Sequence, residues 1–133
     1  MAQENVELVR SGAEALARGD LDVMREGLDP AFEFDVTRTD LNPRVYRGLE
    51  GLLELMNEWT STWDDYEFAV ADLVEAGRDR VVGVLRERGR MKDSDSWVEH
   101  ERGVVWTIRA GKILRYDEYP TKREALEAVT LRE

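Results

Sequence analysis

The stretch Ser96–Tyr119, SWVEHERGVVWTIRAGKILRYDEY, does most to limit what this chain can become, because it reads as two long antiparallel strands. Its first arm is rich in Val, Trp, Thr and Ile and its second in Ile, Leu and Tyr. Ala110–Gly111 forms the short loop between them, with glycine where a positive φ is needed. Alternation puts Val98, His100, Arg102, Val104, Trp106 and Ile108 on one face of the first arm, and Trp97, Glu99, Glu101, Gly103, Val105 and Thr107 on the other. Apolar groups on both faces near the turn need cover on both, so helices are expected against one face and a second chain against the other. The face with His100, Arg102 and Trp106 interleaves ionisable groups with a large aromatic. A buried charge without a partner is costly, so this face reads as the wall of a pocket rather than a dry core.

Charge and composition remove whole classes of function. The 133 residues suit one domain, 1–133, large enough to bury a real core. A net charge of −10 argues against nucleic acid or an anionic membrane surface as partner. The sequence has no cysteine, which excludes disulfides, thiolate metal sites and a Cys nucleophile together. With His100 the only histidine and no D-x-D-x-D-G loop, neither a metal site nor a cofactor is expected. No apolar run approaches the roughly 18 residues of a spanning helix, and Met1–Leu16 is charged and lacks the apolar core of a secretory signal. A cytoplasmic protein with no membrane partner is therefore expected.

Along the chain, Val6, Val9, Ala13 and Leu16 recur at helical spacing in Asn5–Arg18, which ends at Gly19. Asp20 is placed to cap a second helix whose Leu21, Met24 and Leu28 face inward until Asp29–Pro30 ends it. Ala31–Val36 alternates as a short strand, with Phe32 and Phe34 on one face and Glu33 and Asp35 on the other. Thr37–Arg47, with turn chemistry at Asn42–Pro43, reads as a loop. The clearest helix is Leu49–Trp63, where Leu49, Leu52, Leu53, Met56, Trp59 and Trp63 recur at three and four while Glu50, Glu54 and Glu58 form a solvated face. Strands Tyr66–Ala76 and Arg80–Arg90 lead through the polar loop Lys92–Ser96 into the hairpin, and Lys122–Val129 closes the chain as a short helix. Helices gathered on one side of a curved antiparallel sheet make an α+β cone open at one end.

The segments GDLDVMREGLDPAFEFDV, VYRGLEGLLELMNEW and VVWTIRAGKILRYDEYPTKREALEA, in that order, resemble the SnoaL-like branch of the nuclear transport factor 2-like (NTF2-like) superfamily. The resemblance covers nearly the whole chain and implies a cone-shaped pocket between the sheet and the helices, commonly in a homodimer. It implies no single function, since the superfamily includes isomerases, polyketide cyclases, epoxide hydrolases, dehydratases and members that only bind. Set against the ketosteroid isomerases, Asp35 falls where that family has its proton-transferring aspartate, while the two oxyanion donors would fall at Gly12 and about Val104. Steroid isomerisation by that mechanism is therefore not expected, because the oxyanion hole is usually the largest catalytic term. Polyketide cyclases resembling SnoaL pair a carboxylate with a histidine, and the histidine column here holds Val104 while His100 lies earlier on the same face. An Asp-Arg-Asp arrangement of the epoxide hydrolase kind would be imitated by Arg102 between Asp35 and Glu118.

The candidate catalytic residues are thus Asp35, His100, Arg102 and Glu118, with Tyr46, Trp59, Trp63, Val104, Trp106 and Tyr116 as pocket wall, joined by Leu16 and Phe34. The isomerase resemblance implies that Tyr116 and Glu118, at one parity of the last strand, turn toward the cavity and Asp117 away, an assignment that a one-residue bulge would reverse. Structural roles stay open beside these: Asp35 paired with an arginine, His100 as cross-strand partner of a carboxylate, and the tryptophans in place by packing alone. Two functions are carried forward. One is a cofactor-independent acid/base enzyme (isomerase, cyclase, hydrolase or dehydratase type) acting on an apolar small molecule, and the other is a non-catalytic dimeric ligand-binding module. A homodimer through the sheet is expected from Trp97, Val105 and Thr107 on the hairpin's outer face.

Overall fold

The computed structural model describes residues 2–40 and 44–132, so the Asn42–Pro43 turn lies outside the described residues. The element order is α1 (Ala2–Arg18), α2 (Leu21–Gly27), β1 (Leu28–Asp35), β2 (Val45–Arg47), α3 (Gly48–Thr60), β3 (Trp63–Glu75), β4 (Arg80–Met91), β5 (Trp97–Arg109), β6 (Lys112–Tyr119) and α4 (Lys122–Arg132). The strands form one curved, unclosed sheet in the order β2-β1-β6-β5-β4-β3. Every neighbouring pair is antiparallel except β1 and β6, which run parallel. The fold is the α+β cone expected from the sequence.

The hairpin is the spine of the sheet. Arg109 pairs with Lys112 across a two-residue loop in which Ala110 (φ 52°) and Gly111 (φ 76°) are both left-handed, the backbone that a tight hairpin requires at both central positions. A register shift between Ala71 and Val74, with Asp72 at φ 53°, bulges β3 and adds to the bend of the sheet. Asp20 caps α2 by accepting from the Val23 amide at 3.2 Å.

Helices α1, α2 and α3 lie on the concave face, and α4 lies on the convex one. Val9, Ala15, Met24, Phe32 and Leu52 meet Val81, Val104, Trp106 and Ile113 in the main core. On the convex face, Ala125 and Val129 of α4 cover Val82 and Val105. Part of the cover that the sequence analysis assigned to a second chain is therefore supplied by this chain's own last helix. Trp97 remains half-exposed, with the Arg88 guanidinium 4.0 Å above its ring. The rest of that face carries acid–arginine–acid rows across β3, β4 and β5, such as Glu67–Arg88–Glu99 and Asp72–Arg86–Glu101. Exposed pairs like these contribute little stability each but make the face polar.

Three boundaries differ from the sequence reading. Leu28, assigned to the second helix, begins β1, because the β1–β6 pairing starts at Leu28↔Ile113 and overrides the helical spacing. Val45–Arg47, assigned to a loop, pairs with Glu33–Asp35 as β2. Trp63, assigned to the third helix, opens β3, since α3 stops at Thr60 and Trp63 pairs with Met91.

Candidate functional site

A cavity of about 360 Å³ fills the cone between the concave face and helices α1 to α3. Val9, Leu16, Met24, Leu52, Met56 and Ile113 make its walls apolar. Phe34, Tyr116 and Trp106 form an aromatic row across β1, β6 and β5, with the first two stacked at 3.8 Å and the last two edge to face at 5.9 Å. Pockets of this size and apolarity with a few convergent polar groups are the usual small-molecule sites.

The polar groups gather at one end in two sets. Glu118 on β6 accepts from the Tyr116 hydroxyl at 2.7 Å and, through its other oxygen, from the Thr39 hydroxyl. Glu87 on β4 accepts from the Tyr66 hydroxyl, and its second oxygen lies 2.7 Å from His100 Nε2. Both carboxylates are largely buried, and Glu118 is 8 % exposed. Arg102 and Asp40 complete this end of the lining. Burial drives the Glu118 pKa up; the Thr39 and Tyr116 hydrogen bonds and the Arg102 charge oppose that and the Glu87 charge adds to it, leaving a net rise. The same burial, with a carboxylate as nearest partner, pushes the Tyr66 and Tyr116 hydroxyls above their ordinary value, so both remain proton donors.

Of the four expected catalytic residues, His100, Arg102 and Glu118 converge on the cavity and Asp35 does not. The reason is parity. Phe34 stands beside Tyr116 in the parallel register, so the face of β1 that shares the cavity with Tyr116 and Glu118 carries Phe32 and Phe34. A strand lining an apolar cavity turns its phenylalanines inward, which sends Asp35 to the convex face. There it accepts from the Thr37 amide at 2.9 Å and the Thr37 hydroxyl at 2.7 Å, and it pairs with Arg115 at 3.4 Å and Arg38 at 3.8 Å. Buried Asp117 shares both arginines and points away from the cavity, as the isomerase resemblance implies; the register shift at Thr107–Ile108 is what lets Ile113 and Tyr116 share the cavity face.

Burial works to raise the Asp35 pKa, but the two Thr37 bonds and the two arginines outweigh it and hold the group below its ordinary 3.8. Ionised Asp35 therefore contributes stability that is complete above the unfolded value and is lost as pH falls through the lowered folded one. Asp35→Asn is expected to cost about 1–3 kcal/mol at neutral pH and to blunt acid sensitivity. Urea unfolding at pH 7 and at about pH 3, below the ordinary 3.8, measures both, and equal stability of variant and wild type at pH 7 would contradict the role.

Three further wall residues sit elsewhere than expected. Tyr46 is buried beneath α3, donates to Glu58 Oε2 at 3.1 Å and lies under Arg44, because β2 hydrogen-bonds to β1 at the sheet edge. Glu54 and Glu58 both hold Arg44, so that side of α3 is more than a solvated face. Trp63 lies over Gly89 of β4, with ring atoms 2.8 Å from where a Cβ would stand, and is taken out of the lining by that contact. Val104 keeps its predicted face but is fully covered in the core. Trp59, Trp106, Tyr116, Leu16 and Phe34 line the cavity as expected.

Sequence reasoning missed Tyr66, Glu87, Thr39 and Asp40. The available signal for Glu87 was its place in the row Val81, Gly83, Leu85, Glu87, Gly89, where one acid interrupts a small and apolar face. Its importance needs the pairing Glu87↔His100, which only the β4–β5 register supplies.

A curved sheet wrapped by helices around a largely apolar, one-ended polar cavity defines the NTF2-like class of pocket proteins. Within that class the chain belongs to the SnoaL-like domain family, whose model matches residues 9–116. No curated protein sequence matches the chain. Among solved structures it is similar to TerC, crystallised with polyporic acid, at TM-score 0.73 and 18% identity over 96% of this chain and 98% of that one. An NTF2-like protein of Burkholderia xenovorans LB400 aligns at TM-score 0.73 and 23% identity over 97% and 98% of the two chains. Another from Burkholderia thailandensis E264 aligns at 0.71 and 25% over 90% and 95%. Among the described residues no helix is long and apolar enough to cross a membrane, and no group of three or more His, Asp or Glu is arranged to hold a metal ion.

Proposed function

We propose that this protein is a cofactor-independent acid/base enzyme of the isomerase, cyclase or dehydratase type, acting on an apolar small molecule, with Glu118 as its proton-transferring base. The observation that carries this is the pair of buried carboxylates, each gripped by a tyrosine hydroxyl, at one end of an otherwise apolar cavity. Isomerisation, cyclisation and dehydration each need one proton taken and another given. Glu118, raised by burial, is a stronger proton acceptor than an ordinary glutamate, and the Tyr66–Glu87–His100 set offers a second group for return.

A binding module is the second reading, favoured by the engagement of both Glu118 oxygens within the chain. A carboxylate has about four lone-pair sites, however, and two hydroxyls leave room for a substrate proton. Proton exchange decides between them without knowledge of the natural substrate. The α-protons of 2-tetralone, an apolar bicyclic ketone, are followed by NMR in deuterated buffer with and without protein. Exchange at least about tenfold faster than with equimolar acetate supports the enzyme. Saturable binding of the ketone with no acceleration would leave the binding module.

A further inference from the structure

A census of donors and acceptors at the polar end singles out one charged group with no hydrogen-bond acceptor; the buried Trp59 indole N–H also lacks one, but it is a single neutral donor. Each oxygen of Glu118 and Glu87 already has a donor or ring nitrogen of this chain against it, and Asp40 also has a partner. Arg102 is different: it lines the cavity half-buried and its charge acts on Glu118, but among the described residues no acceptor lies within hydrogen-bond or ion-pair distance of its fork. Its strand neighbours on that face are His100, committed to Glu87, and Val104, and the residue opposite on β4 is Leu85. A guanidinium presents five N–H donors in a planar fork that matches a two-oxygen anion, and it is retained beside apolar walls at a desolvation cost unless something meets it.

Resting on the proposed small-molecule reading and refining it, we infer that the ligand is an apolar carboxylic acid: a ring system of about two fused rings held by the apolar walls, with its carboxylate on the Arg102 fork. The cavity of about 360 Å³ is largely apolar outside the polar end that holds Arg102, Glu118 and Glu87, so such a molecule enters in one orientation only. Binding in that orientation lays the carbon skeleton next to the carboxylate along Glu118. The chain's net charge of −10 opposes an incoming anion at long range, but that repulsion is screened beyond about 8 Å at physiological salt, and the fork contact is local. The alternative polarity, a ligand amine on the acids, would have to displace internal hydrogen bonds of Glu87 or Glu118 and would leave Arg102 unmet.

The test uses three probes with one ring system: naphthalene-2-carboxylate, 2-naphthylmethanol and 2-naphthylmethylammonium, titrated calorimetrically into the wild type, Arg102→Gln and Arg102→Lys. The wild type is expected to bind the carboxylate about tenfold or more tighter than the alcohol. Arg102→Gln should erase that preference while holding the alcohol within about twofold of wild type, and Arg102→Lys should retain part of it because charge survives without the fork. Thermal melting verifies that both variants are folded, and Arg102→Lys carries the comparison if Arg102→Gln is not. Equal binding of carboxylate and alcohol, or tightest binding of the amine, overturns the ligand class while leaving the small-molecule site in place. Failure of all three probes to bind overturns the pocket reading itself.

Discussion

Glu118→Gln is expected to lower the protein-catalysed exchange of 2-tetralone by about two to four orders of magnitude, equivalent to about 2.7–5.5 kcal/mol of barrier. Glutamine keeps the shape of the side chain and an oxygen for the Tyr116 hydroxyl, but it has no lone pair basic enough to take a proton. Stability should move the other way. Because burial raises the Glu118 pKa above its ordinary 4.5, the folded state prefers the protonated acid. That preference contributes stability which is full below the unfolded value and is lost as pH rises through the folded one. A neutral amide escapes this loss, so the variant should melt no lower than wild type at neutral pH. Loss of activity with retained stability separates a chemical role from a structural one. An exchange rate within about threefold of wild type would rule Glu118 out as the base. The pH profile gives a second reading: activity should fall as pH drops through the raised pKa. Thr39→Val, by removing a hydrogen bond that favours the ionised form, should move that limb to higher pH.

Gly103→Ala is expected to be the most damaging single-methyl change in the chain. A Cβ at position 103 would stand 2.1 Å from the Thr121 carbonyl oxygen and 2.8 Å from the Lys122 Cα. Both obstacles are backbone, so no rotamer change relieves them. The start of α4 would have to lift from β5, taking Ala125 and Val129 off Val82 and Val105. Overpacking costs about 1–3 kcal/mol where side chains can adjust, and this site belongs at or above the upper end. The midpoint of thermal unfolding should fall by roughly 10 °C for a chain of this size. A drop under about 2 °C would mean that α4 is not anchored through this contact. Gly12, whose added Cβ would meet only the Ile113 side chain at 3.4 Å, serves as the control and should tolerate alanine better.

The sequence by itself determined the elements and their faces wherever one periodicity ruled. The hairpin around Ala110–Gly111, the inward set His100, Arg102, Val104 and Trp106, and the apolar faces of α1 and α3 all follow from spacing and turn chemistry, whereas the inward parity of Tyr116 and Glu118 depends on the register shift at Thr107–Ile108. The SnoaL-like fold followed from the order of three segments. Tertiary structure alone decided which of two alternating faces looks into the cavity when pairing is not local. Strand β1 meets β6 across some 80 residues of sequence, and that parallel register turns Phe34 inward and Asp35 outward. The same limit hid Glu87, whose meeting with His100 depends on a strand pairing and not on any spacing within one strand. Alternation tells that two sets of side chains part company; only the neighbour that each set packs against tells which one is inside.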